Sequence, residues 1–299
     1  MHVRLFGRKP WALMDMAAGI NRHGDTWLYR NFSEHDLTHY GIDCDAVFIM
    51  GWVPEANEFG AYYRAHVPVF YVTDGYVSRR RYDLKGPANY GPKAQFGVSM
   101  EWPGGYGKFD YAQHPSDRWE LLGTPLPTMR LLGDDILIGF QETNDIYDQS
   151  RNKYFKNVVN FVSMLEDKNI RMRVHPRFDS RVDITKTAIY GFQGRVTRGD
   201  EETLERDLDG CYCMITYDSN VAVEAALLGY PVVEYGRSMA HPIVTSWHHF
   251  KKHGGALTVP TNSELAAWCH WLAYQQWTRD EMAKGLTWDY IKKRLLKCA

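Results

Sequence analysis

No stretch of the 299-residue sequence approaches the ~18 consecutive apolar residues needed to cross a bilayer. Residues 1–10 carry Arg4, Arg8 and Lys9 but no apolar segment of the signal-peptide kind. The expectation is a cytoplasmic protein without a transmembrane segment. Cysteine is sparse: Cys44, Cys211, Cys213, Cys269 and Cys298 are odd in number, form no CxxC pair and repeat at no metal-ligand spacing. That excludes a disulfide-stapled scaffold, and the five are read as reduced thiols. Net charge is also lacking, with 35 Lys and Arg against 36 Asp and Glu. Binding of nucleic acid by bulk charge alone is thereby excluded, though a local basic groove is not. GxGxxG and P-loop patterns are absent, which speaks against a dinucleotide oxidoreductase or an NTPase. There is no internal repeat and no low-complexity tract.

What is present is an ordinary globular composition, 44% hydrophobic and 24% charged. At about 150 residues per domain the length suggests two domains. Aromatic residues make up 14% of the chain, which suits cores and carbohydrate or base stacking alike. Residues His2–Phe6, Thr26–Tyr29, Ala46–Val53 and Val67–Thr73 read as strands, with helical patterns after the first and third; a further strand is expected near Phe96–Met100. After the turn-rich Gly123-Thr124-Pro125-Leu126-Pro127 the alternation restarts at Ile136–Phe140. It continues through strands Ile170–Val174, near Ile189, Cys211–Thr216 and Val232–Tyr235, with helices at 150–167, 201–208 and 220–228. A long helical tail is expected from Ser263 toward Leu296. The predicted fold class is α/β, with two Rossmann-like domains, 1–125 and 126–299, whose parallel sheets face a central cleft, and with a C-terminal helix closing the chain.

Ligands of open parallel sheets bind at the carboxyl ends of the strands, and three polar segments fall there. In Thr73-Asp74-Gly75-Tyr76 the glycine permits a sharp turn and Asp74 is delivered at a strand end. An ordinary Asp, with a pKa of about 3.9, is ionised at neutral pH and can take a proton from a hydroxyl; the alternative is a turn-capping Asp. In Val174-His175-Pro176-Arg177, His175 can donate to a phosphate oxygen while Arg173 and Arg177 add positive charge; the alternative is a solvated turn. In Tyr217-Asp218-Ser219-Asn220 a helix start offers backbone N–H groups and polar side chains to an anion, with Glu224 one turn on in reach of a ribose hydroxyl. Ordinary helix capping accounts for the same residues. Two DxD triplets, Asp43-Cys44-Asp45 and Asp207-Leu208-Asp209, precede strands rather than end them and are read as chance. His248, His249 and His253 lack a carboxylate pattern, and no metal site is assigned.

Together these segments resemble the bacterial GT-B-type glycosyltransferases related to capsule Kdo transferases and bacterial sialyltransferases. The counterparts are Asp74-Gly75 for an acidic-Gly motif, His175-Pro176 for an HP motif, and Ser219-Asn220 with Glu224 in the phrase SNVAVEAALLGYPVVEYG. The resemblance covers Ile136 to Gly236 well and the first half only around Val69 to Arg80; Thr73 stands where a second acid is common. It implies an inverting, metal-independent transfer from a CMP- or UDP-linked sugar, with no other cofactor. Asp74 would be the general base, and His175, Arg177, Ser219, Asn220 and Glu224 would bind the donor.

Arg79-Arg80-Arg81, with Tyr76, Tyr82 and Tyr90 nearby, forms the candidate acceptor surface. Basic and aromatic residues mixed in a loop suit an acidic glycan, and equally a modified base in DNA, as for some phage enzymes of GT-B architecture. A GT-B-like nucleotide-sugar epimerase and a non-catalytic nucleotide-binding protein also stay open. The near-zero charge conceals a polarity: residues 170–198 hold seven Lys or Arg and two acids, and residues 199–210 hold six acids and one Arg, so the blocks carry +5 and −5.

Overall fold

Val3 and Leu5 of the first strand face one apolar core while Phe6 faces another, as a parallel sheet covered on both sides requires. A computed structural model of the chain describes residues 1–7, 10–30, 43–50, 62, 65–74, 95–100, 114–130, 133–140, 149–174, 195–198 and 202–298. They divide into two units, residues 1–124 with 270–299, and residues 125–269.

The first unit contains β1 (His2–Gly7), α1 (Pro10–Arg22), β2 (Thr26–Arg30), β3 (Ala46–Met50), β4 (Val69–Asp74), β5 (Gln95–Met100) and α2 (Asp117–Leu122). Pro10 opens α1 at the position where its missing N–H costs nothing. Ala12, Leu13, Met16, Ala17 and Ile20 then bury the stripe that covers the sheet. Strands β2, β1, β3 and β4 run parallel. The sheet is not parallel throughout, because β5 pairs with β4 in the opposite sense.

The second unit contains β6 (Asp135–Phe140), α3 (Gln149–Val162), β7 (Asn169–Val174), β8 (Arg195–Arg198), α4 (Leu204–Leu208), β9 (Cys211–Thr216), α5 (Val221–Leu227), β10 (Val232–Glu234), the 3-10 turn His241–Ile243, β11 (Thr245–Ser246) and α6 (Trp247–Lys252). Its sheet, in the order β11-β10-β9-β6-β7-β8, is parallel at every pairing. Ile136, Ile138, Met172, Val174, Cys213, Ile215 and Val233 pack against Tyr154, Phe155, Val158 and Val162 of α3 on one face. The expected strand near Ile189 lies outside the described residues.

The tail departs from expectation twice. It is not one long helix but α7 (Asn262–Ala273), β12 (Gln276–Thr278), α8 (Arg279–Lys284) and α9 (Leu286–Cys298). From His270 onward it belongs to the first unit rather than to the second half of the chain. β12 lies antiparallel on β5, and the Arg118 guanidinium fixes it in place. That group donates to the Ala273 and Gln276 carbonyls at 3.2 and 2.8 Å, pairs with Glu281 at 2.8 Å and lies 3.8 Å over the Trp277 ring. Thr278 and Glu281 then form a capping box that starts α8, and Gly285 ends it in the left-handed region at φ 84°. No helix among the described residues is long and apolar enough to cross a membrane.

Candidate functional site

The central strand of the second unit, β9, is buried almost throughout and ends at Thr216, which is 0% exposed. The chain then turns through Tyr217-Asp218-Ser219-Asn220 into α5. The Ser219 carbonyl accepts from the Ala222 N–H at 3.0 Å, and the Ser219 hydroxyl accepts from the Val221 N–H at 3.3 Å. The hydroxyl therefore tightens the turn instead of capping a long helix. Asn220 makes no side-chain capping bond. The backbone N–H groups of Ser219 and Asn220 have no partner among the described residues. Glu224, part-exposed one turn on, donates its N–H to the Asn220 carbonyl at 3.2 Å. The small residues Ala222, Ala225 and Ala226 are buried, so α5 sits close on the sheet, and Gly229 at φ 84° turns the chain back into β10.

The loop after β10 runs alongside this turn. Tyr235 N–H donates to the Thr216 carbonyl at 3.0 Å and Gly236 N–H to the Tyr217 carbonyl at 2.8 Å. A Cβ on Gly236 would stand 3.1 Å from that carbonyl and 3.2 Å from the Asp218 Cβ, so glycine allows the two loops to touch. The Tyr217 and Tyr235 rings stack at 5.7 Å, with Tyr154 edge-on to both. Burial pushes the Tyr154 phenol well above its usual range, so it stays a neutral donor, 3.3 Å from the Gly139 carbonyl.

Of the residues singled out from the sequence, Ser219, Asn220 and Glu224 are brought together at this strand end. Asp74 is the last residue of β4, in register with Phe96 of β5. His175 and Arg177 lie outside the described residues, as do Tyr76, Arg79, Arg80 and Arg81; His175 directly follows Val174, which ends β7.

Arg173 requires a correction. It was expected to add positive charge for a phosphate, but it turns inward and pairs with Asp207 of α4, which also accepts from the Thr197 hydroxyl at 2.8 Å. Arg171 is likewise engaged, with Asp135 at 3.0 Å and with the Asp209 carbonyl. Among the described residues Arg173 and Asp207 thus join the basic block to the acidic one. The DxD acids are also in use: Asp43 pairs with Arg4, and Asp45 accepts from the His2 N–H at 2.6 Å. The described thiols are poor nucleophiles, since burial pushes Cys211 and Cys44 up to about 11 and raises Cys213 and Cys269 further.

The sequence reading missed a cluster at the end of β10. Glu234 is 1% exposed, accepts from the Ser238 hydroxyl and lies 3.3 Å from His241 Nδ1. The available signal was an acid closing a buried Val-Val-Glu strand, followed by Tyr235-Gly236.

The fold is of the GT-B-like α/β class, with two parallel-rich sheets. Two solved structures share it, both Kdo transferases named KpsC from Thermosulfurimonas dismutans. The beta Kdo 2,4 transferase matches at a TM-score of 0.53 and 14% identity, over 90% of this chain and 90% of that one. The beta Kdo 2,7 transferase matches at 0.51 and 12% identity, over 97% of this chain and 100% of that one. No family model and no curated protein matches the sequence.

Proposed function

We propose that the chain is an inverting glycosyltransferase that takes its sugar from a CMP- or UDP-linked donor. The observation that carries this reading is the turn after β9, where a tight Ser219-Asn220 helix entry leaves two backbone amides without partners among the described residues, at the C-terminal end of a central parallel strand. Such strand ends are where open α/β sheets bind ligands, and converging amides suit a phosphate. Similarity of fold to Kdo transferases supports the same assignment. In this scheme the leaving nucleotide's phosphate lies on the Ser219 and Asn220 amides, with His175 and Arg177 adding donors and Glu224 holding a ribose hydroxyl.

Asp74 takes the proton of the acceptor hydroxyl as that oxygen attacks the anomeric carbon. The bond from that carbon to the phosphate oxygen breaks, and its electron pair leaves with the nucleotide. Fixed donors aimed at the charge that develops on the phosphate supply the stabilisation, and the scheme asks for no metal.

The test combines donor binding with turnover. Thermal unfolding is recorded with CMP, UDP and their sugar conjugates, because a ligand bound only by the folded state raises its midpoint. A rise with one nucleotide family is expected, and Ser219→Ala should reduce it. Asp74→Asn should keep that rise and lose transfer by about 10²-fold or more. Full turnover in Asp74→Asn would remove the base, and no shift with any nucleotide would remove the donor.

A further inference from the structure

Glu234 and Thr216 are register partners at the ends of β10 and β9, so the loops that follow them leave the same edge of the sheet side by side. Glu234 brings a carboxylate that is 0% exposed to that edge, where folding alone favours an apolar side chain. Both its oxygens are occupied. Oε1 accepts from the Ser238 hydroxyl, and Oε2 lies 3.3 Å from His241 Nδ1. The Ser238 oxygen accepts in turn from the Ala240 N–H at 3.0 Å, which fixes the turn delivering His241. The His241 side chain is 41% exposed, and its Nε2 has no partner among the described residues. This is not a nucleophilic triad, because Ser238 is buried and donates to the acid rather than to the imidazole.

We propose that Glu234 and Ser238 hold His241 as a phosphate-binding residue, its Nε2–H meeting the nucleotide phosphate placed on the Ser219-Asn220 turn. The inference rests on the nucleotide-sugar reading above and adds a residue to that site. With Nδ1–H given to Glu234, the ring presents a donor at Nε2 only as the imidazolium, the form that sets its two N–H groups between the carboxylate and an incoming phosphate. Gly236 keeps the loop that leads to His241 against the start of that turn, since its N–H is bonded to the Tyr217 carbonyl and its missing Cβ leaves room for Asp218. Glu234 is then a positioning residue.

Calorimetric titration of the full chain with CMP and with UDP tests this. His241→Ala should weaken the nucleotide that binds by on the order of tenfold or more in protein that still unfolds cooperatively, although loss of the buried Glu234 partner lowers the unfolding midpoint. In 15N-labelled protein, that nucleotide should move the His241 Nε2 resonance to the imidazolium range. Glu234→Gln should lose this response, and Glu234→Asp should restore part of it. If the wild type binds a nucleotide and His241→Ala binds it equally well, the role of His241 is overturned and the Ser219-Asn220 site stands. If the wild type binds neither nucleotide, the donor reading falls and the inference falls with it.

Discussion

The indole N–H of Trp288 donates to the Asp25 carboxylate at 2.7 Å, across 263 positions of the sequence. The same oxygen takes Lys292 Nζ at 2.7 Å, and the other oxygen takes the Met1 ammonium at 2.6 Å. One buried acid thus ties the start of the first sheet to α9. Removing a buried partner leaves the others uncompensated, so Asp25→Asn should cost about 3 kcal/mol in urea unfolding followed by tryptophan fluorescence. An unchanged midpoint would show that the tail is held by packing alone. Burial by itself would raise the Asp25 carboxyl, but the bonds from Lys292, the terminal ammonium and Trp288 outweigh it and hold it at about 2 instead of 3.8. Because the folded-state value lies below the unfolded one, the contribution is present above pH ~4 and disappears as the pH falls toward ~2. It amounts to about 2 kcal/mol. Acid unfolding should therefore be steeper in the wild type than in Asp25→Asn across that interval.

Gly19 governs how closely the tail packs on α1. A Cβ at this position would stand 2.1 Å from the Met282 carbonyl and 2.9 Å from the Gly285 Cα, and both obstacles are backbone. Gly19→Ala should accordingly push α8 away from α1 at a cost of about 2 kcal/mol, lowering the midpoint of thermal unfolding by about 4–8 °C. The neighbouring Ala18 is exposed, and Ala18→Ser should leave the midpoint where it is. Equal midpoints for Gly19→Ala and wild type would mean that the two helices separate without penalty.

The alternation of apolar strands and helices was readable because each element's burial follows from its own few residues, and β9 with its Ser219-Asn220 turn is a case in point. β12 was not readable. Its three residues become a strand only by pairing with Gln95, Phe96 and Gly97, far away in the chain, and under the hold of Arg118. A local trace of the break existed in Thr278 and Glu281, whose T-x-x-E spacing marks a fresh helix start. For Arg173, alternation along β7 correctly separates it from the buried Met172 and Val174, but the acid that meets it comes from α4. Glu234 and His241 escaped notice because no pattern distinguishes a single acid and a histidine seven residues apart until the turn between them is known.

The pair Arg173 and Asp207 turns the charge cancellation of the sequence into a structural statement. Asp207 is 2% exposed and Arg173 lies beside it in β7, with the Thr197 hydroxyl from β8 on the same carboxylate. If this pair is a buried internal neutralisation, Asp207→Ala strands a desolvated guanidinium and should cost about 3 kcal/mol, whereas Asp207→Leu combined with Arg173→Met should recover most of the loss. Salt should have little effect on the pair, because the charges are screened from solvent. A double-mutant cycle by urea unfolding at low and high salt separates the possibilities. If Arg173 were instead a surface cation available to a phosphate, Asp207→Ala would cost well under 1 kcal/mol and the cycle would show no coupling. Coupling that survives high salt would assign Arg173 to the architecture of the second unit.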